Sequence, residues 1–141
     1  MNWEVVSAIG TCLAAFVGIA GIWLNLWDKT KKLNIYFETV PYFKIYISNN
    51  SLRATVITKM QCSVKTHVFY VESFEGLQEL SVPPATTKNI NIIKQDIYDA
   101  FLQRKMQAIC NTNDEVIITL YDNYGRKYII KTGLGIGTFE E

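Results

Sequence analysis

Val5-Val6-Ser7-Ala8-Ile9-Gly10-Thr11-Cys12-Leu13-Ala14-Ala15-Phe16-Val17-Gly18-Ile19-Ala20-Gly21-Ile22-Trp23-Leu24-Asn25-Leu26 runs without a charged side chain, and Asp28-Lys29-Thr30-Lys31-Lys32 follows almost at once. As a helix these 22 residues rise about 33 Å, at roughly 1.5 Å per residue, close to a hydrocarbon core about 30 Å thick. Lipid offers the backbone no hydrogen bonds, so a lone segment satisfies its own peptide groups only as a helix. The stretch therefore reads as one transmembrane helix, with Trp3 at one end and Trp23 and Trp27 at the other, where amphipathic rings favour the headgroup zone. Lys29, Lys31 and Lys32 crowd its C-terminal flank, whereas Glu4 is the only charge on the N-terminal side. That asymmetry predicts an inner (plasma) membrane protein with its N-terminus outside and everything after the helix in the cytoplasm. A cleaved signal peptide would need a basic start, a shorter apolar centre and a small-x-small site, none of which Leu24-Asn25-Leu26-Trp27-Asp28 supplies. No later apolar stretch approaches the roughly 18 residues of a second span.

Small side chains recur along this helix. Ser7, Thr11, Ala14, Gly18 and Gly21 follow one another at intervals of four, three, four and three, the period of one seam of a left-handed helix pair. Gly10, Ala14 and Gly18 add two consecutive small-xxx-small steps, a spacing that lets backbones approach closely. Leu13, Phe16, Ile19, Ile22 and Trp23 are read as the opposite, lipid-facing side. The pattern predicts self-association into a homo-oligomer, against the plainer reading of a passive anchor. With no Asp, Glu, Lys, Arg or His between residues 5 and 26, a proton relay has no candidate side chain, and a pore would be lined by Ser7, Thr11 and backbone.

Three regions are expected: 1–28, the helix and its flanks; 29–132, a cytoplasmic β-domain; and 133–141, a flexible or docking tail. From Lys29 onward the chain holds all 14 Lys and Arg but, once Glu4 and Asp28 are removed from the 13 acids, 11 Asp and Glu, a formal charge of +3. That is too balanced to favour nucleic acid as a partner, since phosphate neutralisation dominates such affinity. The β-domain shows period-two alternation at Leu33, Ile35 and Phe37, again at Phe43, Ile45 and Ile47, then at Leu52, Ala54, Val56 and Met60, with a further run from Val64 to Glu72. Asn49-Asn50-Ser51 and Pro83-Pro84 break the pattern. Leu77 to Val82 reads as a weak strand, and residues 87–93 put Ile90 and Ile92 on one side. Residues 95–110 read instead as a helix, with Ile97, Tyr98, Phe101, Leu102, Ala108 and Ile109 on one face. Glu115–Tyr121 and Arg126–Lys131 form the clearest hairpin, turning through Asp122-Asn123-Tyr124-Gly125. About eight strands and one amphipathic helix result, an antiparallel β-sandwich or a partly open barrel.

Chemistry is harder to find. Cys12, Cys62 and Cys110 match no metal or redox spacing, and the single histidine, His67, lacks partners for a zinc site. Cys62 and Cys110 are read as buried reduced thiols. Asp96 and Asp99, three residues apart at a helix start, suit the helix dipole rather than acid–base work. Tyr36, Phe37, Tyr42, Phe43 and Tyr46 are of the type that stacks bases, but alternating aromatics of two strands are the simpler reading. No phosphate-cradling glycine loop and no nucleophile with a base is present, so no enzyme activity and no cofactor are expected. In the tail, glycine alternates with Leu134, Ile136 and Phe139, which suggests addition to a sheet edge of a neighbouring subunit or partner.

The anchor with its Lys29, Lys31 and Lys32 stop, the strand–turn–strand Ile45-Tyr46-Ile47-Ser48-Asn49-Asn50-Ser51-Leu52 and the hairpin Tyr121-Asp122-Asn123-Tyr124-Gly125-Arg126-Lys127-Tyr128 together resemble, in outline over the whole chain, small bacterial single-pass membrane proteins with a cytoplasmic immunoglobulin-like β-domain. Some proteins of that layout are membrane effectors in phage defence. The resemblance implies an oligomeric effector whose domain senses a small ligand or a protein partner and whose helices disturb the membrane. The competing expectation is an adaptor or scaffold that recruits a cytoplasmic partner from a passive anchor.

Overall fold

The computed structural model describes residues 2–77 and 79–140, the side chains of residues 29 and 30 excepted. It divides into two compact units, Met1–Lys31 and Lys32–Glu141. The first is a single helix, α1 (Trp3–Thr30), which extends the uncharged run at both ends. Asn2 caps it, its side chain accepting the Glu4 N–H at 3.1 Å, and Glu4 sits in the first turn where a negative charge is favourable. The helix ends at Lys31, whose backbone is extended. Its 26-residue apolar part, Trp3–Asp28, is long and apolar enough to cross a membrane.

The second unit contains, in chain order, β1 (Asn34–Glu38), β2 (Phe43–Asn49), β3 (Thr55–Val64), β4 (His67–Phe69), β5 (Leu80–Val82), β6 (Thr86–Ile92), α2 (Lys94–Gln103), β7 (Glu115–Asp122) and β8 (Lys127–Gly135). Strands β1, β2 and β6 form one antiparallel sheet in that order. The other runs β4-β3-β7-β8, and β5 pairs with β3 along the edge that β4 also uses, at the opposite end. These eight strands in two antiparallel sheets do not close into a barrel. Phe43, Ile45 and Ile47 of β2 and Ile90 and Ile92 of β6 share one core with Ile57, Met60, Cys62 and Val64 of β3 and Val116, Ile118 and Leu120 of β7.

A buried amide and a half-buried phenol link elements of the domain. Asn49, at the end of β2, donates from Nδ2 to Arg53 O at 2.7 Å and to Val82 O of β5 at 2.8 Å, while its Oδ1 accepts the Ser51 N–H. Tyr128 of β8 accepts the Leu33 N–H at 3.2 Å and donates to Asp122 Oδ2 at 2.8 Å. Asp122 Oδ1 in turn accepts the N–H groups of Tyr124 and Arg126, closing the turn in which Gly125 takes φ 77°. Every lone pair so engaged avoids the penalty of a buried unsatisfied group.

The structure corrects four sequence expectations. Along β3 the buried set begins as Thr55 and Ile57 and continues as Met60, Cys62 and Val64, so Leu52 and Ala54 are exposed and Val56 is only half-buried. The cause is a bulge: Ile57 faces Asp122 and Lys59 faces Tyr121, leaving Thr58 as an extra residue that reverses the alternation. The run from Val64 to Glu72 is a tight hairpin, turning at Lys65 (φ 56°) and Thr66, with β4 of only three residues. The helix expected over 95–110 stops at Gln103, because Lys105 takes a left-handed conformation (φ 53°) before a short 3-10 turn, Met106–Ala108. The phase shifts, so Met106 and Cys110 are buried while Leu102, Ala108 and Ile109 are exposed.

The fourth correction concerns the tail. β8 continues to Gly135, and Ile136–Phe139 form a 3-10 turn whose Ile136 and Phe139 are fully buried in this domain's own core, with Leu134 half-buried against it. Ile136 and Gly137 donate their N–H groups to Asp114 O and Thr112 O at 3.0 and 2.9 Å. A Cβ on Gly135 would lie 2.6 Å from Thr112 O. The glycines thus admit a close approach of two backbones.

Candidate functional site

On α1, at about 100° per residue, Ser7, Gly10, Thr11, Ala14, Gly18 and Gly21 fall within an arc of about 100°. All six are exposed, and a Cβ on Gly10, Gly18 or Gly21 would meet nothing within 4 Å. The hydroxyl of Thr11 donates to Ser7 O at 3.0 Å, so it is satisfied within the helix. Leu13, Phe16, Ile19 and Trp23 project elsewhere, whereas Ile22 falls at the edge of the small-residue arc rather than opposite it. Trp3, Trp23 and Trp27 are exposed, and the Lys31 ammonium lies 4.5 Å from the Trp27 ring centroid. The side chain of Lys29 lies outside the described part, and Lys32 begins the second unit, where it is exposed.

Among the described residues, clefts open on the β-domain at several places. One of about 490 Å³ is lined by Pro41, Tyr42, Phe43 and Lys44 from the β1–β2 connection and by Asn91, Ile92, Ile93 and Lys94 from the β6–α2 junction. β2 and β6 bring these stretches together through the pairs Phe43↔Ile92 and Lys44↔Asn91. A second, of about 430 Å³, is acidic, with Tyr70, Glu72, Asp96 and Asp99 among its walls. There the Tyr70 hydroxyl is pushed up to about 12 by its hydrogen bond to Glu75, by partial desolvation and by the charges of Glu75 and Glu72. Asp99 accepts from Gln95 Nε2 at 2.8 Å. The third, of about 470 Å³, lies between β1 and β8, among Ile35, Phe37, Tyr128 and Ile130.

The other sequence candidates are dispersed. Cys62 and Cys110 are buried free thiols, and burial pushes Cys62 far above the ordinary thiol range, which keeps it protonated and unreactive. His67 is exposed on β4. Tyr36 and Tyr46 stack on each other at 4.8 Å on the exposed side of β1 and β2, while Phe43 is in the core. Among the described residues no three His, Cys, Asp or Glu are grouped to hold a metal ion. The first cleft escaped the sequence reading, although the adjacent Ile92-Ile93 pair carried a signal: on a strand one of two neighbouring isoleucines must face outward.

No protein-family model, curated protein or solved structure matches the chain.

Proposed function

We propose that this protein is a single-pass effector of the inner (plasma) membrane that assembles through α1 and receives a ligand or protein partner on a cytoplasmic β-sandwich of immunoglobulin-like kind. The observation that carries the reading is the open arc from Ser7 to Gly21, six small residues with no Cβ-distance neighbour at its glycines, on a helix long and apolar enough to span a bilayer. Bulky residues are what lipid solvates best, so a small-residue face is suited to another helix. Lys29, Lys31 and Lys32 argue for the cytoplasmic side, and the outline resemblance to small bacterial single-pass membrane proteins, some of which are phage-defence effectors, supplies a setting in which assembled helices perturb the membrane.

Oxidative cross-linking in native membranes tests the face directly. In a Cys12→Ala background, Ala14→Cys and Gly18→Cys should form dimers while Phe16→Cys should not. Equal cross-linking at all three positions would remove the small-residue arc from the account. A membrane-anchored adaptor is the second reading, favoured by the large exposed side chains Val40, Tyr42 and Ile93 on the domain. Under that reading a foreign membrane helix in place of residues 3–27 leaves function intact.

A further inference from the structure

We infer that the cleft between the β1–β2 connection and the β6–α2 junction binds a small organic anion with a planar apolar body. The inference rests on the proposed sensing role only for its purpose, since the binding is measurable without assembly. Phe43 and Ile92 are buried toward the core, so by strand alternation Lys44 and Asn91 face the opposite, outer side, with Tyr42 and Ile93 next to the buried pair in sequence. Tyr42 and Ile93 stand beside them 69% and 59% exposed, and neighbouring Val40 is 80% exposed. Exposed apolar side chains around one concavity offer a ligand a contact surface.

Charge narrows the occupant. Lys44 and Lys94 are the only ionisable cations lining the cleft, and no carboxylate lines it. Glu38 lies across from Lys44 in the strand register but is not among the lining residues, and its Oε2 accepts from the Tyr46 hydroxyl at 3.1 Å. Among the described residues neither lysine makes an ion pair within 4 Å. The acids of α2, Asp96 and Asp99, line the separate acidic cleft. Two lysines among the lining residues therefore favour an anion, the Tyr42 ring offers a face for stacking, and the Asn91 amide offers both a donor and an acceptor. The volume of about 490 Å³ suits a small molecule held on one side rather than a protein segment.

The test uses the full chain in phosphatidylcholine nanodiscs and naphthalene-2-sulfonate as the probe, by equilibrium dialysis with empty discs subtracted. Saturable binding of one probe per chain is expected. The double variant Lys44→Glu/Lys94→Glu should weaken it by at least about tenfold, as loss of two charge-assisted contacts requires. Tyr42→Ala, at an exposed position, should weaken it by roughly fivefold through lost stacking. Lys127→Glu/Lys131→Glu, which leaves the net charge equally changed, should bind like the unaltered chain. Absence of saturable binding overturns the inference, and so does binding that the Lys44 and Lys94 changes leave intact or that both charge pairs reduce alike. None of these outcomes depends on whether α1 self-associates, which is measured by mass.

Discussion

Asp122 shows how one buried side chain can hold a turn and join two sheets. Its carboxylate accepts two backbone N–H groups of its own hairpin and the Tyr128 hydroxyl, and that hydroxyl accepts the N–H of Leu33, the residue that leads into β1. Asp122→Ala leaves those donors without partners, so a loss of about 2–4 kcal/mol is expected in urea denaturation of the full chain in detergent. A change near zero would mean that solvent already serves these groups. Burial, more than the neighbouring carboxylate, raises the Tyr128 hydroxyl above its ordinary value, in keeping with a neutral phenol at this junction. Asp114 behaves differently. The Asn111 N–H at 2.6 Å and the Lys65 ammonium at 3.3 Å hold its carboxyl below the ordinary value. A carboxylate whose folded pKa is depressed adds stability above its unfolded pKa, and this is lost as pH falls through the folded one. The stability difference between the unaltered chain and Asp114→Asn should therefore be present at neutral pH and shrink below about pH 4. A difference that stays constant down to pH 2–3, on the order of two units below that range, would contradict this assignment.

At the scale of elements, the C-terminal segment decides between two readings. Phe139 is fully buried and meets Phe43 edge-on at 6.0 Å. Phe139→Ala should cost about 3–5 kcal/mol in the same denaturation experiment, whereas a docking tail would lose almost nothing. The sequence could not separate these outcomes, because glycine-spaced apolar residues suit either an added strand or a close-packed one, and the deciding contact, Gly135 against Thr112, is a tertiary one. Periodicity served well where no irregularity intervened, as in β2 and β6. It failed at Thr58 and Lys105, where one bulge and one left-handed residue shift the phase without Gly, Pro or Asn to announce them. Beyond the hint in Ile92-Ile93, the first cleft was hidden for a related reason: its two halves, 41–44 and 91–94, meet only through the β2–β6 register.

At the scale of the whole chain, a helix with an open small-residue face and a separate β-domain with its own continuous core divide the work between membrane and cytoplasm in the proposed account. Both the assembling effector and the anchored adaptor use the domain for recognition, and they differ in what α1 does. The decisive measurement is the mass of the full-length protein in nanodiscs beside the same protein carrying Gly18→Ile. A Cβ at Gly18 meets nothing within the chain, so the substitution spares the single helix and burdens only a helix packed against it. The account expects a defined oligomer that dissociates to monomers in the variant. A monomer in both, or an oligomer unchanged by Gly18→Ile, would contradict it.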